Sequence, residues 1–153
     1  MTEKLFYEDS HLAEFEATVI ACRRREEAVP EAEKQICYEI ELDRTAFFPE
    51  GGGQYADTGV LACAGCTVRV LDVQEEGGHI CHLTDGPLEA GSSVNGRIDW
   101  DERFMKMQQH TGEHIVSGLV HARFGYNNVG FHLGSEDCTM DFNGEITPEE
   151  LAQ

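Results

Sequence analysis

The period of the apolar residues changes once along this chain, near residue 98, and that change limits the folds open to it. Before it, short runs alternate or carry β-branched residues: Phe15 to Ala21, Ile36 to Leu42, Val60 to Leu61, Val68 to Val73, His79 to Leu83 and Val94 to Ile98. Side chains two apart share one face of a strand, so these runs predict half-buried strands. Turn formers separate them, as in Thr84-Asp-Gly-Pro-Leu-Glu-Ala-Gly91. Short strands punctuated in this way predict a small barrel or sandwich. After the change, Phe104, Met107, Ile115, Leu119 and Val120 recur at helical spacing, with Val116 and Phe124 beside them. That is one apolar helix face over about six turns. Asp99 or Asp101 can cap its start and Gly125 can stop it. Val129 to Leu133 and Cys138 to Phe142 read as two further strands, joined by a turn at residues 134–137.

The expected fold class is therefore α+β: a small β-barrel over residues 1–92, then a helix on an antiparallel sheet over residues 93–153. Thr147-Pro-Glu-Glu150 is a capping box with proline at the first helical position, the signature of a helix start. That helix begins within a turn of Gln153, so the second module is expected to be truncated.

Lysine and arginine total 11 against 29 acidic residues, a net charge of -18. Such a charge argues against a broad electrostatic grip on nucleic acid, so any RNA contact is expected to be local. Arg23-Arg24-Arg25 is followed at once by Glu26 and Glu27 and reads as a solvated strand end in a charged link running to Lys34. No apolar run approaches the ~18 residues of a membrane span, and Met1 to Ser10 is polar and acidic, unlike a secretory leader. Cys22, Cys37, Cys63, Cys66, Cys81 and Cys138 are accordingly read as reduced thiols of a cytoplasmic protein.

Three motifs can carry chemistry. His110 and His114 are four apart within the helical segment, hence on one helix face, and can grip one metal ion, most often zinc. The segment departs from the metalloprotease pattern, in which glutamate directly follows the first histidine; here Glu113 precedes the second. In Phe47-Phe-Pro-Glu-Gly-Gly-Gly-Gln-Tyr-Ala-Asp-Thr-Gly59, the run Gly51, Gly52, Gly53 points to positive φ or close approach of another group, or else to a tight barrel corner. Cys63-x-x-Cys66 with His79, Cys81 and His82 downstream offers an alternative, structural zinc site. His132 alternates with Phe131 and Leu133, so it should face away from the core, toward a pocket.

Phe48-Pro-Glu-Gly-Gly-Gly-Gln54 with Asp57-Thr-Gly59, the His-x-x-x-His at 110 to 114, Thr-Met-Asp-Phe142 and Thr-Pro-Glu-Glu150 together resemble the editing regions of alanyl-tRNA synthetases and the editing proteins of the AlaX type. The resemblance runs from about residue 5 to Gln153, and some of its members carry a further C-terminal domain of the DHHA1 type. It implies a glycine-motif barrel followed by an α/β editing domain. It also implies hydrolysis of mischarged tRNA(Ala) carrying serine or glycine, with zinc as cofactor and tRNA as partner. It implies a second zinc motif, Cys-x-x-x-His, which does not follow Cys138, so the remaining ligands are expected beyond Gln153.

In the family a hydroxyl-bearing threonine usually stands beside the second histidine; Glu113 stands there here. Glu113 and His132 are the candidate catalytic residues, the first favouring an amino-acid ammonium, the second the ester or its terminal ribose. Gly51, Gly52, Gly53 and Gln54 are the candidate contacts to tRNA or to the editing module. A non-catalytic tRNA- or partner-binding module is the alternative, and pairing of two copies is open. No class II aminoacylation motif is present, so ligation is not expected of this segment.

Overall fold

The computed structural model describes residues 1–26, 36–133 and 137–153. Two compact units are formed, one from residues 1–51 and 55–103, the other from residues 52–54 and 104–153.

The first unit contains β1 (Glu3–Lys4), a single 3-10 turn, β2 (Glu14–Glu26), β3 (Ile36–Leu42), β4 (Arg44–Thr45), β5 (Gly59–Cys63), β6 (Cys66–Glu76), β7 (His79–Thr84) and β8 (Ser93–Ile98). Six of these strands close a barrel in the order β2-β3-β7-β6-β5-β8, and every neighbouring pair is antiparallel. Closure leaves no unpaired barrel edge. It settles the choice between barrel and sandwich that the strand pattern left open.

The staves follow the period-2 rule. In β8, Val94, Gly96 and Ile98 are buried while Ser93, Asn95 and Arg97 are exposed. The expected boundary near residue 93 thus falls at the start of a stave that the barrel needs, and the compact units divide after Arg103 instead. Phe15, Val19, Ile40, Leu42, Leu61, Val70, Val73, Ile80 and Val94 fill the interior around Phe47, which meets Phe15 edge-on at 5.7 Å. Gly96 is required by that packing, because a Cβ there would lie 2.5 Å from the Phe15 ring. The arginines at 23 to 25 lie in β2 and are exposed; the rest of the expected link, residues 27–34, lies outside the described residues.

His82 is a core residue. It is fully buried, with Nδ1 3.0 Å from the Ile40 carbonyl and Nε2 2.8 Å from Thr45 Oγ1. The Phe47 N–H donates to the same hydroxyl, so the Thr45 proton is free to go to Nε2. The pattern is that of a neutral ring: Nδ1–H donates and Nε2 accepts. Burial pushes its pKa down to about 4 from 6.5. Between those values the unfolded chain binds a proton that the native ring refuses, so this contribution to stability is fully present above pH 6.5 and is lost as pH falls toward 4. The gap corresponds to about 3 kcal/mol. We expect wild type to lose about that much more stability than His82→Gln between pH 7 and pH 4 in urea titrations; parallel pH curves would refute the assignment.

The second unit consists of the helix α1 (Trp100–Phe124) from Phe104 onward, the antiparallel hairpin of β9 (Asn128–Leu133) and β10 (Cys138–Phe142), the short helix α2 (Pro148–Leu151) and the tripeptide 52–54. The expected turn at 134–137 rests largely on residues 134–136, which are outside the described residues. Gly125, at φ 71, ends α1, its N–H donating to the His121 carbonyl at 2.8 Å in a left-handed cap. Asp99 lies just before the helix, where its carboxylate accepts from Thr58 Oγ1 at 2.7 Å and from Arg69. Thr147 and Glu150 form the anticipated capping box.

The helical period of α1 is as read, but its buried face is not the apolar one. Ile115 and Leu119 are 59% and 66% exposed, and Phe104 is exposed too, whereas Arg103, Lys106 and Glu113 are buried. Val116, Leu119, Val120, Phe124, Ile146 and Leu151 line an open groove of about 540 Å³. The covered stripe, with Arg103, Lys106 and Glu113 buried and His110 and Ser117 half-buried, is polar, and it carries the site. Among the described residues no helix is long and apolar enough to cross a membrane.

Candidate metal site

Positions 110, 113 and 114 are i, i+3 and i+4 on α1, so their side chains leave one face within a single turn. His110, Glu113 and His114 each present a potential ligand atom, and these atoms lie within 4.8 Å of one another. The two imidazoles stack at 4.9 Å with 25° between their planes. His110 is half-buried, Glu113 buried and His114 exposed. This is the one group of three or more histidine, cysteine, aspartate or glutamate side chains among the described residues that is spaced to share a metal ion.

Each member is held from a different direction. His110 Nδ1 faces Gln54 Oε1 at 3.4 Å. Glu113 Oε1 accepts from Ser117 Oγ at 2.7 Å and from Asn128 Nδ2 at 2.8 Å, while Glu113 Oε2 lies 3.5 Å from His114 Nδ1. Asn128 also donates to Ser117 Oγ and accepts the Gly130 N–H on Oδ1. Its amide thus ties β9 to the helix at the level of the carboxylate.

The glycine run is a tight turn. Gly52 and Gly53 have φ of 61° and 81°, the pair of left-handed residues that a type I′ turn demands. A Cβ on Gly53 would sit 3.1 Å from the Phe131 ring, so the turn packs closely on β9. Gln54, which follows, is buried. Side chains added at Gly51 or Gly52 would meet nothing within 4 Å. His132 is exposed, stands opposite Thr139 on β10 and is not one of the three clustered groups.

The cysteine alternative does not assemble. Cys63 and Cys66 face each other across the tip of β5 and β6, Cys81 lies opposite Gln74, His79 pairs with Glu41 at 2.5 Å and His82 is committed to the core. Among the described residues these side chains form no group of three or more suited to one metal ion. Sequence reasoning missed Asn128 and Ser117. Ser117 was within reach, being i+4 from Glu113; nothing in the local pattern marks Asn128.

Residues 1–102 match the family model of class II tRNA synthetases (A), and the chain belongs to that family. It is 44% identical over 154 residues to an alanine--tRNA ligase of Ignicoccus hospitalis, covering 98% of this chain and 16% of that protein. It is 37% identical over 153 residues to the alanyl-tRNA editing protein AlaX-M of Methanosarcina barkeri, covering 95% and 58% respectively. The alanyl-tRNA editing protein Aarsd1 of Rattus norvegicus is 34% identical over 149 residues, covering 94% and 35%. The chain therefore spans from about a sixth to somewhat over half of the length of these relatives.

Proposed function

We propose that this chain serves alanyl-tRNA editing, the hydrolysis of the ester that joins a wrong amino acid, serine or glycine, to tRNA(Ala). The observation that carries the reading is the His110, Glu113, His114 cluster in a chain whose relatives include alanyl-tRNA editing proteins. The donor set fits zinc: two imidazoles four residues apart on one helix face, with ligand atoms within 4.8 Å of each other and of a carboxylate. When bound, zinc supplies localised positive charge for orienting a water or the 3′ end of the tRNA.

An ester is an activated bond, so placing it beside an oriented water accounts for much of the required acceleration. Gln54 Oε1 stands 3.4 Å from His110 Nδ1, where it would favour the Nδ1–H form and leave the Nε2 lone pair for a metal. The buried Glu113 carboxylate adds negative charge beside the two imidazoles and so favours a cation there. His132 is the candidate contact for the ester or terminal ribose, and the Gly51 and Gly52 backbone for the tRNA. With a chain charge of -18, those contacts are local ones, and tRNA affinity should weaken only modestly with salt.

The test is release of labelled serine from Ser-tRNA(Ala) by the protein and by its His110→Ala/His114→Ala variant. Hydrolysis that falls to background in the variant is the expected result. Hydrolysis that survives it would refute the site. Absent hydrolysis with tRNA binding retained would select the non-catalytic binding module.

A further inference from the structure

We propose that Cys63 and Cys66 form a reversible dithiol–disulfide site at the tip of the β5–β6 hairpin, oxidised by a small-molecule disulfide of the glutathione type. The inference goes beyond the editing reading and depends neither on it nor on a metal.

The hairpin provides the first argument. Ala64 and Gly65 alone join β5 to β6, and Gly65, at φ 82, supplies the left-handed backbone that so tight a connection calls for. The register sets Cys63 directly opposite Cys66. Opposed residues of an antiparallel pair have Cα atoms about 4.5–5.5 Å apart, inside the ~4.4–6.8 Å that a disulfide spans, and their side chains share one face. One rung further in, Leu61 stands opposite Val68, and both are buried. The two thiols therefore extend the inward-facing column to the end of the hairpin. An S–S bond can form there with the strands where they already are.

The second argument is selectivity. In the described registers no other cysteine faces a cysteine: Cys22 opposes Ile40 and Cys37 opposes Arg25, Cys81 lies between Glu41 and Gln74, and Cys138 opposes Leu133. Cys37 is also buried. Burial, with Glu39 and Glu41 adding to it, raises the Cys81 thiol above its ordinary pKa and so depletes its thiolate.

The third argument is how the pair is divided. Cys66 is exposed, whereas Cys63 is half-buried and packs against the core. The Cys66 thiolate is thus the one that attacks the small disulfide. The reagent's S–S bond breaks, a mixed disulfide forms on Cys66, and the first small thiol leaves with the proton that Cys66 gave up. The Cys63 thiolate then attacks the Cys66 sulfur, the internal bond forms, and the second small thiol leaves with the Cys63 proton. Two electrons pass from the cysteines to the reagent. The closed loop holds four residues, so it restrains the unfolded chain little, and a bond with an exposed sulfur is of the readily reduced kind.

The experiment incubates the purified, dithiothreitol-reduced chain with glutathione disulfide and follows it by alkylation of the remaining thiols and peptide mass spectrometry. Wild type, Cys63→Ala, Cys66→Ala and Cys81→Ala are compared, and thermal unfolding of each reduced protein is recorded. We expect wild type and Cys81→Ala to gain a bond between Cys63 and Cys66, to retain no glutathione there, and to recover both thiols in dithiothreitol. Cys63→Ala should hold glutathione on Cys66, since no second thiol displaces it. Cys66→Ala should take up glutathione at Cys63 at least about tenfold more slowly than wild type is oxidised. Glutathione retained on wild-type Cys66 without the internal bond, or a bond joining other cysteines in its place, overturns the proposal, as does Cys66→Ala reacting as fast as wild type. The wild-type peptide map decides by itself, so a variant that fails to fold leaves the proposal testable.

Discussion

Asp57→Ala is expected to destabilise the first unit by about 3–5 kcal/mol, the range for removing one partner of a buried ion pair. Asp57 and Arg103 are 1% and 3% exposed. Arg103 Nε donates to both carboxylate oxygens at 3.0 and 2.9 Å, and Nη2 donates to Oδ2. The rest of the guanidinium is used as well, Nη1 on the Ser10 carbonyl at 2.9 Å and Nη2 on the Ala46 carbonyl at 2.7 Å. Alanine at 57 would leave a cation out of water facing only neutral carbonyls. The Phe48 N–H, which donates to Asp57 Oδ2 at 2.7 Å, would lose its acceptor too. Because the reciprocal Asp57 N–H bonds the Phe48 carbonyl at 3.0 Å, the carboxylate also staples the base of the glycine loop. Adding Arg103→Met to Asp57→Ala should recover part of the loss, since it removes the orphaned charge. Urea unfolding of both singles and the double measures the coupling; a cost below about 1 kcal/mol for Asp57→Ala would show that the pair is not desolvated as described.

Gly59→Ala carries the second large effect, at least about 3 kcal/mol, at or beyond the upper end for overpacking a core. The Cβ would lie 2.1 Å from the Arg97 carbonyl oxygen, 2.9 Å from Phe47 Cε1 and 3.0 Å from Ile98 Cα. Two of these neighbours are backbone of β8, with which β5 is in register at Gly59 and Ile98. Flexible side-chain ends can move aside, but here the strands themselves must part, and a closed barrel has no free edge to absorb the displacement. Gly51→Ala is the control, since a methyl group there would meet nothing within 4 Å, and it should change the melting temperature little. If the two variants melt together, the close approach of β5 and β8 is wrong.

Asp57 and Gly59 also show what a linear pattern conceals. Asp57-Thr-Gly59 was legible only as part of an unusual motif, with no packing role attached to its residues. The structure gives it two packing duties, both involving residues far along the chain. Elements were easier to read than their neighbours. The strands, the extent of α1 and the capping box at Thr147 follow from spacing and end chemistry within a few residues, and they occur close to where they were expected. Which side of α1 would be buried did not follow. An apolar stripe ordinarily marks the covered face, yet Ile115 and Leu119 are exposed while the covered stripe ends in Glu113 and its hydrogen-bond partners. The histidine pair was legible because helical spacing alone brings its members together. Gln54 and Asn128, which hold the cluster from outside the helix, depend on long-range packing for which no short window carries a signal. His82 was equally hidden: beside Cys81 it suggests metal chemistry, and only the closed barrel shows it to be interior filling.

The chain crosses between its two compact units at residues 51/52, 54/55 and 103/104, so the unit that carries the histidines is discontinuous in the gene. A recombination event that moved residues 104–153 as one cassette would transfer His110, Glu113 and His114 but leave behind Gln54 and the turn that presents it. Inheritance of the site in working order therefore requires the barrel segment and the helical segment to travel together.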